Sequence, residues 1–380
     1  MRAVKLFEPG DIRLVELEKP VPGPGEVLLQ VKEVGICASD IHWYEDGGIG
    51  DTRMTEPLIL GHEFAGIIAE VGPGVTNVKP GDRVAVEPGI HCGHCDMCLA
   101  GEINICRNIL FCGTAPTDGA LRDFMTWPAR LIEHIPDSIS MGEAAMLEPI
   151  AVGVYAVEIA GRTLNPHPQG RWGESDSGLP LTIDHRPLTI SPIQGEGSLG
   201  GMTIGIIGSG AIGLSILQAA KAAGCGEAYV SDLYPFRLDI ARRLGADHTL
   251  NASETDVAAA IKEAAGGMGL NIVFEAAGVN DAVVTACEIV RPGGTVVLGG
   301  IPSDDRVLLK AGTVRRKALT IRFLRRSKNT LRKSIKLVSE GKVDAASYVT
   351  HRFPLEQTKE ALETARASRN TGIRVIVQLS

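Results

Sequence analysis

The hydrophobic pattern changes once along the chain. Up to about Pro136, apolar and β-branched residues come in short runs, such as 26–31 and 82–86, that are separated by Gly and Pro. Short apolar runs bounded by turn residues are typical of strands. The first third of the chain is therefore predicted to be an all-β, loop-rich module.

From Met202 onward, apolar strands alternate with helical segments. We predict strands at 203–207, 228–231, 271–274 and 295–298, with helices after Gly210 and around 237–244. This alternation is typical of an α/β fold with a doubly wound parallel sheet. After about Arg325 come a helix (330–339) and a last strand (374–379), and we expect this segment to rejoin the first module.

The predicted organisation is therefore two domains and an insertion. Residues 1–160 and 325–380 form the β-rich domain, and residues 202–324 form the α/β domain. Between them, 161–201 is dense in Pro and Gly and contains two similar pieces, 179–183 and 186–190. The proline in each piece favours edge strands of a surface excursion, and an arm that packs on a neighbouring subunit is the alternative.

Composition and charge narrow the partners. The chain has 380 residues, 44% of them hydrophobic, and its 38 Lys and Arg against 45 Asp and Glu give a net charge of −7. Without a basic excess, nucleic acid is not expected as a partner. The N-terminus lacks the apolar core of a secretory signal, so we expect a cytoplasmic protein.

One apolar stretch, 202–220, approaches the length of a membrane span. Ser209, Ser215 and Gln218 interrupt it, and four glycines lie in its first twelve residues. This distribution favours a buried strand, a tight turn and a helix, so no membrane association is expected.

Gly208, Gly210 and Gly213 follow a predicted strand and open a predicted helix, which is the context of a dinucleotide-binding fingerprint. Such glycines allow a sharp turn, close approach of a pyrophosphate and tight packing of helix on strand. Asp232 ends the next strand, where a carboxylate hydrogen-bonds the ribose hydroxyls and repels a 2′-phosphate. The pattern favours NAD over NADP.

Four of the eight cysteines, Cys92, Cys95, Cys98 and Cys106, lie in one short window. Thiolates at this spacing can complete one tetrahedral shell around zinc and leave no position open for substrate. We therefore predict a structural zinc site. The other cysteines are scattered, unlike the framework of a secreted disulfide protein.

A second candidate set is dispersed along the chain and consists of Cys37, His62 and Glu63. Each residue type is commonplace by itself, and a lone Cys or His is more often part of a core. Together they would supply three protein ligands and leave a fourth position open, which is the arrangement of a catalytic zinc.

In their order along the chain, these motifs resemble the medium-chain, zinc-dependent alcohol dehydrogenases, and most closely the sorbitol (polyol) dehydrogenase branch. The resemblance covers nearly the whole chain apart from 161–201. It implies a GroES-like, β-rich catalytic domain and a Rossmann doubly wound parallel sheet. Beside the glycine fingerprint and the four cysteines, it rests on Gly61-His-Glu63, Pro80-Gly-Asp-Arg-Val84, Phe111-Cys-Gly-Thr114 with Asp118-Gly119, and Glu148-Pro149.

The resemblance also implies roles around the catalytic zinc. Cys37, His62 and Glu63 would hold the metal. Glu148 is the competing carboxylate, and Asp40 would orient the ligating imidazole.

Further roles follow from the same resemblance. Ser39 and His42 fall at the family's proton relay, although His42 could equally be a surface residue. The implied cofactor-binding positions are Gly208, Gly210, Ile212, Gly213, Asp232, Arg237 and Arg374.

The substrate pocket is implied by Phe111, Thr114 and Arg326. Ser327 departs from the family pattern, since a tyrosine is usual after that arginine. Arg326 also belongs to a basic run with Arg322, Arg325 and Lys328. Such a run is usually solvated surface, but if two of its cations face the cleft, a sugar acid or sugar phosphate would fit better than a neutral polyol.

The expected reaction is hydride transfer from a secondary alcohol of a polyol, such as sorbitol or xylitol, to NAD, which gives a ketose. One catalytic and one structural zinc per chain are expected. The alternatives are L-threonine or a simple secondary alcohol as substrate, or a zinc-free, quinone-reductase-like or non-catalytic member of the fold. The resemblance further implies a homo-oligomer, either a dimer or a tetramer.

Overall fold

The protein is described here by a computed structural model that covers residues 1–164, 199–302, 305–368 and 370–380. The insertion expected at 161–201 falls almost entirely outside the described residues. The proposed domain boundaries, which depend on it, stay a prediction.

The N-terminal part consists of short strands with few helices, as its broken hydrophobic runs predict. Its elements are β1 (Arg2–Glu8), β2 (Asp11–Glu16), β3 (Glu26–Gly35), α1 (Ala38–Asp46), β4 (Gly48–Ile49), β5 (Thr52–Arg53), β6 (Leu58–Ile59), β7 (Glu63–Val71), β8 (Arg83–Val86), β9 (Gly89–Ile90), α2 (Asp96–Leu99), β10 (Leu110–Phe111), β11 (Phe124–Pro128), β12 (Ile132–His134), α3 (Met141–Ala145) and α4 (Leu147–Leu164).

The second part alternates strands and helices. Its elements are β13 (Ile204–Ile207), α5 (Ala211–Ala222), β14 (Ala228–Asp232), α6 (Pro235–Arg243), β15 (His248–Asn251), α7 (Val257–Ala264), β16 (Leu270–Glu275), α8 (Asn280–Ile289), β17 (Val290–Leu298), α9 (Ala311–Lys317), β18 (Thr320–Phe323), α10 (Leu331–Ser339), β19 (Val349–Pro354), α11 (Thr358–Ala367) and β20 (Arg374–Gln378).

Six strands of the second part form one parallel sheet in the order β15-β14-β13-β16-β17-β18. The strand order reverses on the two sides of β13. In open α/β sheets a ligand crevice forms outside the carboxyl ends of the strands at such a point. The predicted doubly wound parallel sheet is confirmed, and the glycine fingerprint follows β13 directly.

A second large sheet is built mainly from the N-terminal strands in the order β12-β8-β7-β3-β20-β19, and β11 also pairs with β3. The C-terminal strand β20 joins it through antiparallel pairing with β3, where Val377 lies opposite Val34. Strand β20 therefore lies in the same sheet as the N-terminal strands. This pairing brings Arg374, at the start of β20, to the same end of the sheet as Gly35.

A separate hydrophobic core supports each sheet. The core beside the parallel sheet includes the buried faces of α4 and α5 together with Tyr348 and Ile376. Within the described residues, no helix is both long and apolar enough to cross a membrane. The apolar stretch 202–220 forms β13, a glycine turn and most of α5, as predicted.

Candidate active site

A cleft of about 890 Å³ lies between the two sheets. On one side the cleft is lined by residues that follow β3 and by the start of β20. On the other side it is lined by the loops that follow the strands of the parallel sheet. Ser39, His42 and Arg374 face the cleft from the first side, and Gly210 and Asp232 from the second. A cleft of this size, with polar groups from both sides, can take a dinucleotide and a small substrate.

Cys37, which lines this cleft, lies close to His62 and Glu63. Cys37 follows β3 and caps α1, while His62 and Glu63 open β7. Antiparallel pairing of β3 with β7 places Gly35 opposite Glu63. A Cβ at Gly35 would lie 2.5 Å from Glu63 Oε2, so only glycine leaves room for that carboxylate.

The three side chains fit a zinc ion. One ligand atom from each lies within 4.8 Å of the others. Glu63 Oε2 is buried and accepts no hydrogen bond from any residue that the structure describes, which is costly for a carboxylate oxygen unless a cation satisfies it. Sulfur, imidazole and carboxylate together are a ligand set that zinc accepts. Glu148 lies outside this group of ligand atoms.

Asp40 lies beside the imidazole of His62, the ring that the resemblance expects it to orient. Its Oδ1 lies 3.6 Å from His62 Nδ1 and accepts the Gly61 N–H at 3.1 Å, while Oδ2 accepts the Cys37 N–H at 2.8 Å. This contact leaves Nε2 as the nitrogen free to bind a metal. Although burial lowers the pKa of His62, the Asp40 carboxylate and the Cys37 thiol hold it well above its ordinary value.

Arg374 forms a buried ion pair with Glu63, with 2.9 Å between Nη2 and Oε1. Its Nη1 donates to the Ile36 carbonyl at 3.1 Å. Arg374 was expected to bind the cofactor, and a direct contact of that kind stays a prediction. In the structure its guanidinium neutralises a predicted metal ligand.

Glu148 lies in the first turn of α4 and is buried. Burial is the main cause that raises the pKa of Glu148 to about 7, and the nearby Glu63 carboxylate adds to it. A carboxyl group that titrates near neutral pH can exchange protons during a reaction. Ser39 and His42 also line the cleft, and His42 Nδ1 lies 3.4 Å from Asp46 Oδ2.

The four cysteines of the predicted structural site form a separate cluster. Their sulfur atoms lie within 4.8 Å of one another, with separations of 3.5 Å for Cys92–Cys106, 3.9 Å for Cys95–Cys106 and 4.0 Å for Cys92–Cys98. A tetrahedral zinc with bonds of about 2.3 Å requires sulfurs about 3.8 Å apart, so the cluster fits zinc. Backbone N–H groups of His94 and Cys95 lower the pKa of Cys92 to about 6.

The predicted substrate residues lie beside the metal set. The Phe111 ring centroid is 5.3 Å from that of His62, and Arg326 Cζ lies 3.9 Å from the centroid of Phe111. Thr114 follows in the same turn, where its N–H donates to the Phe111 carbonyl at 3.1 Å. Burial and, to a smaller extent, the charge of Arg325 lower the pKa of Arg326. Glu148 and Glu87 oppose this change, and the resulting pKa is about 9.

Glu87 was not singled out from the sequence. It follows β8, and its Oε1 accepts a hydrogen bond from Ser327 Oγ at 3.4 Å. Burial, and then the charge of Glu148, raise the pKa of Glu87 to about 8. The one available signal was its position as a carboxylate directly after a buried strand.

The basic run does not act as one surface. Arg322 and Arg325 are exposed, and Lys328 Nζ pairs with Glu102 Oε1 at 2.8 Å. Arg326 is the member that packs against Phe111, and its Nη1 is buried without a hydrogen-bond partner among the described parts of the chain.

The glycine fingerprint has the geometry that a phosphate-binding turn requires. Gly208 has a φ of 93°, and a Cβ at Gly213 would lie 1.9 Å from the Gly208 carbonyl oxygen. Gly210 is the N-cap of α5 and has no atom closer than 3.7 Å to an added Cβ. Its open surface leaves space for a ligand at the helix N-terminus. Ile212 lines the same cleft.

Asp232 ends β14 with its carboxylate fixed by three donors. Its Oδ2 accepts from Ser209 N and Oγ at 2.7 and 3.0 Å, and its Oδ1 accepts from Tyr234 N at 3.1 Å. Arg237 Cζ lies 5.5 Å from the centroid of the Tyr234 ring, and its Nη2 donates to the Gly372 carbonyl at 3.4 Å. Asp232 and Arg237 both line the cleft.

Comparison with known proteins agrees with this site. Residues 23–137 match the family model described as alcohol dehydrogenase GroES-like domain, and residues 211–340 match that of zinc-binding dehydrogenase. The sorbitol dehydrogenase of Bacillus subtilis (strain 168) is 36% identical over 378 residues, which are 99% of this chain and 97% of that protein.

Solved structures give the same result. An oxidoreductase/dehydrogenase of unknown specificity from Escherichia coli superposes with a TM-score of 0.85 at 32% identity, with complete coverage of both chains. An alcohol dehydrogenase from E. coli CFT073, solved in complex with NADH, has a TM-score of 0.81 at 26% identity and covers 100% of this chain and 99% of that one.

The expected GroES-like and Rossmann fold, and the expected use of zinc and NAD, are confirmed by these matches and by the two ligand sets. The chain belongs to the family of zinc-binding alcohol dehydrogenases.

Proposed function

We propose that this dehydrogenase oxidises a secondary hydroxyl of a neutral polyol, of the sorbitol or xylitol type, to the ketose with NAD. The relative from B. subtilis, which matches over nearly the full chain, is named sorbitol dehydrogenase. The observation that carries the proposal is the environment of Arg326. Its guanidinium packs on Phe111 beside His62, and the carboxyl groups of Glu148 and Glu87 lie close enough to raise its pKa.

This surrounding favours a substrate with several hydroxyl groups and no charge. A sugar acid, a sugar phosphate or L-threonine would bring an anion close to Glu148, which with a pKa of about 7 is partly charged at neutral pH, and the charge of Lys328 is already paired with Glu102. A simple secondary alcohol would leave the buried Arg326 Nη1 without a partner, which costs binding free energy. Hydroxyl groups of a polyol can accept from the guanidinium and donate to the carboxylates.

When bound, zinc supplies a Lewis acid that lowers the pKa of a coordinated hydroxyl, and NAD supplies the hydride acceptor. Cys37, His62 and Glu63 would hold the metal at the end of the cleft, and Asp40 keeps the imidazole in its orientation. Arg326 and Phe111 would position the remaining carbons of the substrate relative to the metal set.

Proton release requires a path from the reacting hydroxyl to solvent. Glu148 is buried next to the metal set and, with a pKa of about 7, can take up and release a proton near neutral pH. Ser39 and His42 lie between this end of the cleft and the surface, since both are half-buried and line the cleft. They are proposed as the relay that carries the proton outward.

Oligomeric state and location are part of the same proposal. Strand β18 is the outer strand of the parallel sheet and carries the exposed apolar residue Phe323. Two more exposed apolar residues, Ile301 and Leu308, lie in the segment between β17 and α9. An exposed apolar sheet edge is suited to pairing with a second copy, as in a homodimer or in a tetramer made of two dimers. None of the eight cysteines forms a disulfide, which is in keeping with a cytoplasmic protein.

The test is steady-state reduction of NAD and NADP by the zinc-loaded protein with a panel of substrates. The panel comprises xylitol, sorbitol, a sugar acid, a sugar phosphate, L-threonine and 2-propanol. We expect the highest kcat/KM with a neutral polyol and NAD. Preference for an anionic sugar, or equal rates with 2-propanol, would show that the substrate class is wrong while the family assignment stands.

A further inference from the structure

The loop that carries Arg326 has an unusual backbone conformation. It joins β18 to α10, and both Arg326 and Asn329 have a φ of 56°, in the left-handed region. Residues other than glycine adopt this region at a cost in free energy, so the surroundings must hold them there. Contacts on both sides of Arg326 are therefore needed to keep its guanidinium over Phe111.

Those contacts come from the four-cysteine segment. Asn104 Nδ2 donates to the carbonyl of Arg325 at 2.9 Å, and Asn104 is only 6% exposed. Glu102 Oε1 accepts from Lys328 Nζ at 2.8 Å. Asn104 and Glu102 both lie between the third and fourth cysteines, so the metal cluster fixes the chain on either side of them.

The same loop also contacts the residue that follows β8, because Ser327 Oγ donates a hydrogen bond to Glu87 Oε1. The backbone on both sides of Arg326 is thus held by residues far away in sequence. From Arg326 the contacts continue through the Phe111 ring to His62, at 3.9 and 5.3 Å. A short line of contacts therefore connects the four-cysteine cluster with the catalytic metal set.

From this geometry, we propose that the four-cysteine segment has a positioning role in substrate binding: Asn104, supported by Glu102, holds the 324–330 loop so that Arg326 reaches the substrate. This rests on the proposed function, because Arg326 must bind the polyol. It assigns to the structural zinc site a role in substrate affinity, in addition to holding its own loop together.

A double-mutant cycle tests this role. Asn104→Ala removes the buried hydrogen bond to the Arg325 carbonyl and a longer one, of 3.4 Å, to the Tyr155 hydroxyl. We expect the KM for the polyol to rise about three- to tenfold, with kcat, the KM for NAD and the zinc content unchanged. Arg326→Met should raise the same KM, and Asn104→Ala should add no further increase in the Arg326→Met background. Independent, multiplicative effects of the two changes would overturn the proposal.

Asn77→Ala is the control for the type of hydrogen bond, since Asn77, an exposed residue, also donates from Nδ2 to a backbone carbonyl, that of Ala129, at 2.8 Å. It should leave the polyol KM unchanged. If Asn104→Ala does not fold, Glu102→Gln carries the same cycle with an expected increase of about twofold, because its ion pair is partly exposed.

Amide hydrogen exchange gives a readout that does not depend on turnover. In zinc-loaded Asn104→Ala we expect faster exchange in residues 324–330 and unchanged exchange in 92–106. Faster exchange in both segments with loss of zinc would mean a merely structural effect and would overturn the proposal. If the enzyme oxidises no polyol, the proposed function fails, and the exchange experiment still decides whether Asn104 positions the loop.

Discussion

The buried ion pair between Arg374 and Glu63 allows a quantitative prediction about zinc binding. The two side chains are 8% and 1% exposed and lie 2.9 Å apart. Arg374→Met removes the cation and keeps much of the side-chain volume. Glu63 then remains as a buried carboxylate without its cation unless zinc is bound.

The size of the effect follows from the burial. Removing one partner of a buried pair typically costs about 3–5 kcal/mol in the free energy of unfolding. The Ile36 carbonyl also loses its donor, which costs about 1 kcal/mol in the presence or absence of metal. Zinc at Glu63 would compensate most of the first cost and none of the second. The apo protein should therefore be destabilised by about 3 kcal/mol more than the zinc-loaded protein.

By linkage, that difference must appear as tighter zinc binding. A difference of about 3 kcal/mol corresponds to roughly a 100-fold lower dissociation constant for the catalytic zinc. The assay combines thermal unfolding of apo and zinc-loaded protein with zinc titration against a competing chelator. Arg352→Met is the control. Arg352 lies on β19, next to β20, and pairs with Glu33 of β3, but its side chain is 41% exposed.

One result would refute this reasoning. If Arg374→Met destabilises the apo and zinc-loaded forms equally and leaves zinc affinity unchanged, Glu63 is not a metal ligand that shares its charge with Arg374. If, in addition, the KM for NAD rises strongly, Arg374 acts mainly on the cofactor, as the sequence alone predicts.

Three further predictions concern the cofactor and the structural zinc. Gly213→Ala should lower the free energy of unfolding by about 1–3 kcal/mol and raise the KM for NAD, because the new Cβ would meet the Gly208 carbonyl at 1.9 Å. Gly210 has open space around it, so Gly210→Ala should raise the KM for NAD at an unchanged melting temperature. Equal melting temperatures for both variants would contradict this. Asp232→Asn should reduce the preference for NAD over NADP about 100-fold. This is the effect expected when one charge is removed at about 6 Å from a 2′-phosphate in a medium with an effective dielectric constant of about 20. An unchanged ratio of the kcat/KM values for NAD and NADP would show that another group selects the cofactor. Cys98→Ser should bind one zinc per chain fewer by elemental analysis and melt at a lower temperature, whereas Cys225→Ser, outside both ligand sets, should keep its full zinc content.

Local patterns predicted the parts of the protein that depend on neighbouring residues. The four cysteines lie within one segment, so their spacing alone predicts a zinc site, and the structure brings their sulfurs together. The glycine turn between β13 and α5 is likewise a local feature. Cys37 and the Gly61–Glu63 segment were separated in sequence, and their meeting depends on the pairing of β3 with β7. The resemblance to a family supplied that information, which spacing could not.

Residues whose roles depend on strand register or loop packing could not be predicted in this way. Arg374 faces Glu63 because β20 pairs with β3 in one particular register, and a shift of one residue would turn its side chain to the other face of the sheet. Glu87 and Asn104 meet the Arg326 loop across sequence separations of 240 and 221 residues. No periodicity in the sequence reports such contacts.

These long-range contacts explain why the substrate class is harder to infer than the chemistry. The metal ligands and the glycine turn lie at strand ends, where the fold itself fixes their positions. Arg326 lies on a loop that is held by contacts with Asn104, Glu102 and Glu87. The position of its guanidinium therefore depends on residues outside the recognised motifs. A relative with the same motifs but a different residue at 102 or 104 would keep the hydride-transfer site and present a differently placed cation to the substrate. Substrate preference should therefore vary with these supporting residues even where the zinc ligands, the glycines and the arginine itself are identical.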